Sequence, residues 1–301
     1  VVRVAAGGSA PAVVHLLSVA VGAAERGSMA VASPRVLVVS EPGTELTLVE
    51  EFIGGGSDQE GEEEAGASAG VRSLTNAVLE AELGAGATLN HVVVQAQPLG
   101  RAAQTKSTLV TQAERSVYAL TEVATGAALA RHDVDVAQNG PGTDTRMSAF
   151  LLAGANQLLD LHSKLKLDHP SGTADQLHKC IVAAASGRGV FDGNVQVNRA
   201  AQQTDAKQLS RNLLLVPKAT VNVKPNLQII ADDVACTHGC TVADLEDDEL
   251  FYLQSRGIEK TQARALLVKS FGAEVLQRIP FDQLRARVES TVAATLAKAG
   301  Q

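Results

Sequence analysis

The sequence predicts a mainly β fold with a helical tail, and three observations carry that reading. Short segments of alternating apolar and polar residues recur from about Val71 to Ala235. No helical pattern of about 10–15 residues separates them, which argues against βαβ units and a nucleotide-binding open sheet. Among 301 residues there is no Trp, and aromatics make up 3%. A β-sandwich packs large rings between its sheets. A β-solenoid stacks coil on coil around a narrow interior of small and branched aliphatics. The shortage of rings and the 26 glycines favour the solenoid over the sandwich.

The elements follow in order. Arg35–Val39 and Glu45–Val49 read as strands bounded by Pro34 and Pro42-Gly43. Gly54–Gly66 holds five acids and no aromatic or β-branched residue. Such a stretch cannot bury enough surface to order itself, so residues 54–70 are expected to form a flexible acidic loop inserted in the β body. Leu89–Gln95, Ser116–Leu120, Leu159–Leu165, Val195–Asn198 and Thr220–Lys224 alternate with period two, as strands with one buried face do. Gly84-Ala85-Gly86, Asn139–Gly142 and Asp192-Gly193-Asn194 read as the turns between strands. The tail changes period. Glu246–Arg256 opens on Asp247-Asp248-Glu249, at the positive end of a helix dipole, and stops at Gly257. Ala263, Leu267 and Phe271 step by four, as do Leu284, Val288, Val292 and Leu296. The expected organisation is a β core over 1–243 and a helical domain over 244–301.

Composition limits the function. A formal net charge of −7 argues against a broad basic face for nucleic acid. No window of about 18 apolar residues suggests a membrane span. Three cysteines cannot complete a disulfide framework and point to a reducing compartment. The apolar run Pro11–Ala24 is preceded only by Arg3 and interrupted by His15 and Ser18, so it does not read as a signal peptide. The chain opens on Val1, which implies that the natural start lies upstream.

Few residues carry candidate chemistry. There is no phosphate-binding G-x-x-x-x-G-K-[ST] loop, no H-E-x-x-H and no C-x-x-C. Asp232-Asp233 suits a surface turn better than acid–base work. Cys180 reads as a core thiol, and His162, His169 and His178 lack ligand spacing. The run Cys236-Thr237-His238-Gly239-Cys240 stands apart. On a strand, Cys236, His238 and Cys240 share a face at steps of about 6.5–7 Å. That is too wide for one metal to take all three, but it suits a row that meets ligands from another chain. Thiolate and imidazole suit iron–sulfur clusters, zinc or copper(I). The other reading of the run is a strand end with inert cysteines and a satisfied histidine.

The stretch from Cys180 to Leu276 closely resembles the SufB/SufD family of iron–sulfur cluster assembly proteins. The runs that carry the resemblance are Ser186–Gly193, Ala201–Asp205, Lys224–Val234, Cys236-x-His238-Gly239 and Phe251–Gly257. Weaker similarity reaches back to residue 1, and the acidic insert at 57–70 is unshared. His238-Gly239 stands where SufB-like chains carry His-Glu, and an upstream cluster-associated cysteine has no match, so the chain is SufD-like. Cys240 departs from the pattern, in which a small residue is expected, so its role as a ligand does not follow from the resemblance.

The resemblance implies a right-handed parallel β-helix followed by a C-terminal helical domain. It implies a non-catalytic scaffold that pairs with a SufB-type subunit through the end of the β-helix. A SufC-type ATPase would dock on the C-terminal helices and hydrolyse ATP, with no nucleotide bound by this chain. A transient iron–sulfur cluster would form at the shared interface, where His238 corresponds to the family's cluster-associated histidine; Cys236, on the same predicted strand face, is the expected second contact, with Cys240 a distant third. The isolated chain is expected to be able to form a homodimer. The resemblance favours the chloroplast stroma, with the cytoplasm as the alternative. A different class also stays open: a metal-independent β-solenoid serving as an interaction or carbohydrate-binding surface. Sugar-binding solenoids expose aromatic platforms, and this chain has few rings for one.

Overall fold

The structure is a computed structural model, and it describes residues 1–6, 12–22, 28–54 and 72–299. The acidic stretch 57–70 lies outside the described residues. The first strands are β1 (Val2–Val4), β2 (Ala12–Ala20), β3 (Ala30–Ala32), β4 (Arg35–Ser40), β5 (Glu45–Gly54), β6 (Ser73–Leu83), β7 (Thr88–Ala96) and β8 (Ala102–Gln112). Then come β9 (Val117–Ala124), β10 (Leu129–Gln138), β11 (Asp144–Ala153), β12 (Leu158–Leu167), β13 (Thr173–Val182) and β14 (Arg188–Val197). The last are β15 (Thr204–Leu214), β16 (Thr220–Ile229) and β17 (Val234–Ala243), followed by helices α1 (Asp247–Ser255), α2 (Lys260–Leu276) and α3 (Asp282–Ala299).

The strands alternate between two sheets. One runs β1-β4-β6-β8-β10-β12-β14-β16, with β3 also on β6, and the other runs β17-β15-β13-β11-β9-β7-β5-β2. Neighbours pair in parallel: Leu129 lies beside Leu158, and Leu158 beside Arg188. One turn of the coil therefore takes about 30 residues, and the fold is a parallel β-helix. Inward side chains of both sheets form one narrow aliphatic core, including Leu79, Leu89, Leu120, Leu159, Leu165 and Val195. Its width suits small and branched side chains, which accounts for the missing rings.

Tight corners connect the strands. Gly86 and Gly142 take positive φ there, as do Arg115, Asn156 and Gln203. At Gly140 a Cβ would stand 2.2 Å from the backbone nitrogen of Glu114, so only glycine lets this turn stack on the one below. Asp192-Gly193-Asn194 is not a turn, contrary to the expectation from its residues, and lies inside β14. A Cβ at Gly193 would stand 2.3 Å from Nε2 of Gln208, so the glycine makes room in the interior.

The helices lie where the amphipathic steps predicted them, with the acids of α1 in its first turn and Gly257 at positive φ just past its end. α2 and α3 share an apolar cluster with the outer face of the second sheet, and α1 packs on α2. Val268, Val275, Leu276, Ile279, Leu284, Val288 and Val292 pack with Val92, Phe150, Leu152, Leu177 and Ile181. Gly272 lets α2 sit on the ring of Phe150, which a Cβ there would meet at 2.9 Å. Polar ties fix the contact: Arg278 donates to Ser148 Oγ at 2.7 Å and Arg287 pairs with Glu51 at 2.5 Å.

Candidate metal centre

The two sheets end together. β16 and β17 are the last strands of their paths, and among the described residues neither carries a strand on its far edge. Pro225 falls inside β16, a position proline tolerates on an edge strand. Ile230 and Val242 are 55% and 48% exposed at this end. The final turn of the β-helix is thus open, and its inward side chains have no turn above them.

β17 places the candidate row as the sequence indicates. Cys236, His238 and Cys240 lie in register with Ala206, Gln208 and Ser210 of β15, all three buried and facing the interior. Cys236 is half-buried against the core, whereas His238 and Cys240 are exposed. The three share a face but do not converge. Among the described residues, no group of three or more His, Cys, Asp or Glu could hold a metal ion. Burial holds the Cys236 thiol above its ordinary range, with nearby Asp205 adding to the shift and a backbone hydrogen bond from Ala206 opposing it. Burial raises the Cys240 thiol too. Both are protonated at neutral pH and would release a proton on binding metal. Gly239 faces the other way, and its nearest constraint is Leu209, whose Cδ1 a Cβ would meet at 3.2 Å.

The other candidates separate cleanly. Cys180 is buried, with its thiol pushed up to about 12, an inert core thiol as expected. His178 is also buried. Its ring stacks on Phe191 with centroids 4.3 Å apart, its Nδ1 lies 3.0 Å from Ser210 Oγ, and burial pushes its pKa down to about 3. His162 lies on β12 of the other sheet, 2.9 Å from Asp160, and His169 follows in a connection. The exposed pair Asp232-Asp233 sits in a bend tied to Gln202.

The sequence reading missed what lies beneath the row. Gln176, Gln208 and His238 stack at one register position of three successive turns, and His178, Ser210 and Cys240 stack beside them. The signal was present as a spacing of about 30 residues, but it can be read only once the length of a turn is known.

Fold and site define a class: a parallel β-helix whose open end presents imidazole and thiol but no complete ligand set. A family model described as "SUF system FeS cluster assembly, SufBD core domain" matches residues 21–271. The chain belongs to that SufBD family. It is 49% identical over 275 residues to "Protein ABCI7, chloroplastic" of Arabidopsis thaliana, covering 91% of this chain and 55% of that protein. It is 39% identical over 261 residues to an iron–sulfur cluster assembly SufBD family protein of Synechocystis, covering 86% of this chain and 56% of that one. Against the iron–sulfur cluster assembly protein SufD of Escherichia coli it is 34% identical over 171 residues, covering 57% and 40%. The chain spans about half the length of the first two of these relatives.

Proposed function

We propose that this chain is a scaffold subunit on which an iron–sulfur cluster is assembled jointly with a SufB-type partner. The observation that carries the reading is the open terminal turn, where Cys236 and His238 share one face of a strand whose far edge is unpaired among the described residues, without enough neighbours to close a site. An incomplete set on an open edge suits a partner strand that adds to the sheet and brings its own ligands. Exposed Ile230 and Val242 supply apolar surface for that contact. The same edge would let two copies pair when the chain is isolated.

The roles divide by chemistry. Neutral His238 donates a ring-nitrogen lone pair to iron, and Cys236 contributes a thiolate after losing its proton. Cys240, exposed two positions further along, is the third contributor. Imidazole holds iron less firmly than thiolate, which suits a site that must hand its cargo on. The chain itself carries out no reaction and binds no nucleotide. A SufC-type ATPase docks on the helical unit over 244–301, separate in role from the β unit over 1–243. Exposed Phe251, Tyr252 and Leu266 on α1 and α2 form its contact. Among the described residues no helix is long and apolar enough to cross a membrane. The chloroplastic designation of the Arabidopsis relative supports a plastid location, which we assign to the stroma.

The test is His238→Ala in the assembled complex. The expected outcome is normal assembly, normal melting and active ATPase, with little iron or sulfide retained. Full cluster loading in that variant would remove the ligand role. Failure to assemble would make His238 an interface residue instead.

A further inference from the structure

The interior of the β-helix is aliphatic over much of its length, but the column beneath His238 is polar and has a direction. Gln208 donates from Nε2 to Oε1 of Gln176 at 2.6 Å. Gln176 donates in turn from its own Nε2 to Ser163 Oγ at 3.3 Å. Each amide therefore points its donor into the body and its carbonyl toward the open end. The last carbonyl is left over: Gln208 Oε1 is buried and has no hydrogen-bond partner. A buried acceptor without a donor is a cost that an aliphatic residue would avoid. The sequence accepts a second cost for the same side chain. Gly193 stands in mid-strand, where glycine weakens a strand, and any Cβ there would collide with Gln208 Nε2 and with the ring of Phe191, so the glycine makes room for both.

The next residue up this column is His238, in register with Gln208 and on the same face. A neutral imidazole carries one N–H donor and one lone pair. We propose that Gln208 is a positioning residue for His238: its carbonyl oxygen, not bonded to the ring in this conformation, accepts the imidazole N–H when the ring turns toward it, fixing tautomer and ring plane and leaving the other nitrogen free to face outward. The hold on the ring stands on the column alone, and its use in binding iron rests on the reading of His238 as a ligand. A histidine that binds metal almost always donates its second N–H to such an acceptor. The chain of amides down to Ser163 polarises the carbonyl and strengthens it for the purpose.

The experiment uses two substitutions at one position. Gln208→Met removes the acceptor at nearly constant shape, and Gln208→Glu keeps an acceptor there. Ring 15N shifts of His238 in the isolated folded chain report the tautomer, and iron retained by the assembled complex reports the consequence. We expect one tautomer in the unmodified chain and in Gln208→Glu, and a mixture in Gln208→Met, whose melting should fall modestly because Gln176 Oε1 loses its donor. Iron retention in Gln208→Met should fall ~10- to 100-fold, with most of it kept in Gln208→Glu. An unchanged tautomer in Gln208→Met overturns the proposal, whatever the iron content. Normal iron loading in His238→Ala would instead overturn the ligand reading, and the tautomer measurement would still decide the role of Gln208.

Discussion

Lys106 is 2% exposed inside the β-helix, where a charge survives only with partners. Its Nζ lies 2.5 Å from Glu50 Oε2, which also lies 2.8 Å from Nε2 of His91, and His91 Nδ1 is 3.0 Å from the Tyr118 hydroxyl. Burial pushes the Glu50 carboxyl up, but His91 and Lys106 outweigh it and hold the group at about 2. Removing Lys106 leaves the Glu50 carboxylate buried without a cation, held only by its hydrogen bond with His91. Lys106→Met should therefore lower stability by about 3–5 kcal/mol, read from the denaturant midpoint. Changing Lys106 and Glu50 together to apolar residues should cost much less, and equal losses in the two variants would contradict this account. The pH dependence has a clear sign. The Glu50 contribution is complete above the ordinary carboxylate value of 4.5 and fades as pH falls toward 2. Neutral, buried His178 contributes fully above 6.5, and that stability is lost as pH falls toward 3. The melting temperature should thus decline with acid from about pH 6.5 downward, and His178→Leu should flatten the upper part of the decline. An identical slope in that variant would show that other groups set it. None of these pairings was legible beforehand, because His91 and Lys106 lie 41 and 56 residues from the Glu50 carboxylate that they share. The row at Cys236, His238 and Cys240 was legible, because side chains two apart on one strand share a face whatever surrounds them.

At the scale of elements, the period of the apolar pattern was readable where one strand face meets water and faded where neither does. β12 alternates cleanly, with Leu159, Leu161 and Leu165 inward. β13 is buried at every position from Gln176 to Val182, because α2 covers its outer face, and so it gave no alternation to read. The seating of α2 gives a test in which two effects oppose. Gly272→Ala would gain about 1 kcal/mol of helix propensity. It would also drive a methyl group into the rigid Phe150 ring, at a cost of about 1–3 kcal/mol. We expect a net fall in melting temperature, relieved when Phe150→Leu is added. A rise for the single variant would show that the helix shifts freely. On α1, Phe251 and Tyr252 are 73% and 58% exposed, with Arg256 lying 5.2 Å from the Tyr252 ring. Under the proposal that a SufC-type ATPase docks here, Phe251→Asp should leave the fold unchanged and abolish capture of that ATPase in a pull-down, and capture at the normal level would place the contact elsewhere.

At the scale of the molecule, the parallel β-helix repeats one contact over and over. From β8 onward each interior strand touches the strand about 30 residues before it and the strand about 30 residues after, whereas the steps from β4 to β6 and from β5 to β7 are longer. The entropy of closing a loop is therefore nearly the same for each of these later turns, and adding a turn to an existing one is a local step. Such a chain behaves as a one-dimensional stack of coupled units, in which interior units are held from two sides and terminal units from one. Among the described residues β17 is held from one side only. Its amides should exchange with solvent by fraying, well before global unfolding, whereas those of β9 and β11 should exchange only when the whole stack opens. The strand that presents His238 would then be the least protected of the late turns in the free chain and among the most protected once a partner strand closes the stack. Hydrogen exchange measured with and without the partner would read that difference directly, and uniform protection from β9 to β17 in the free chain would refute it.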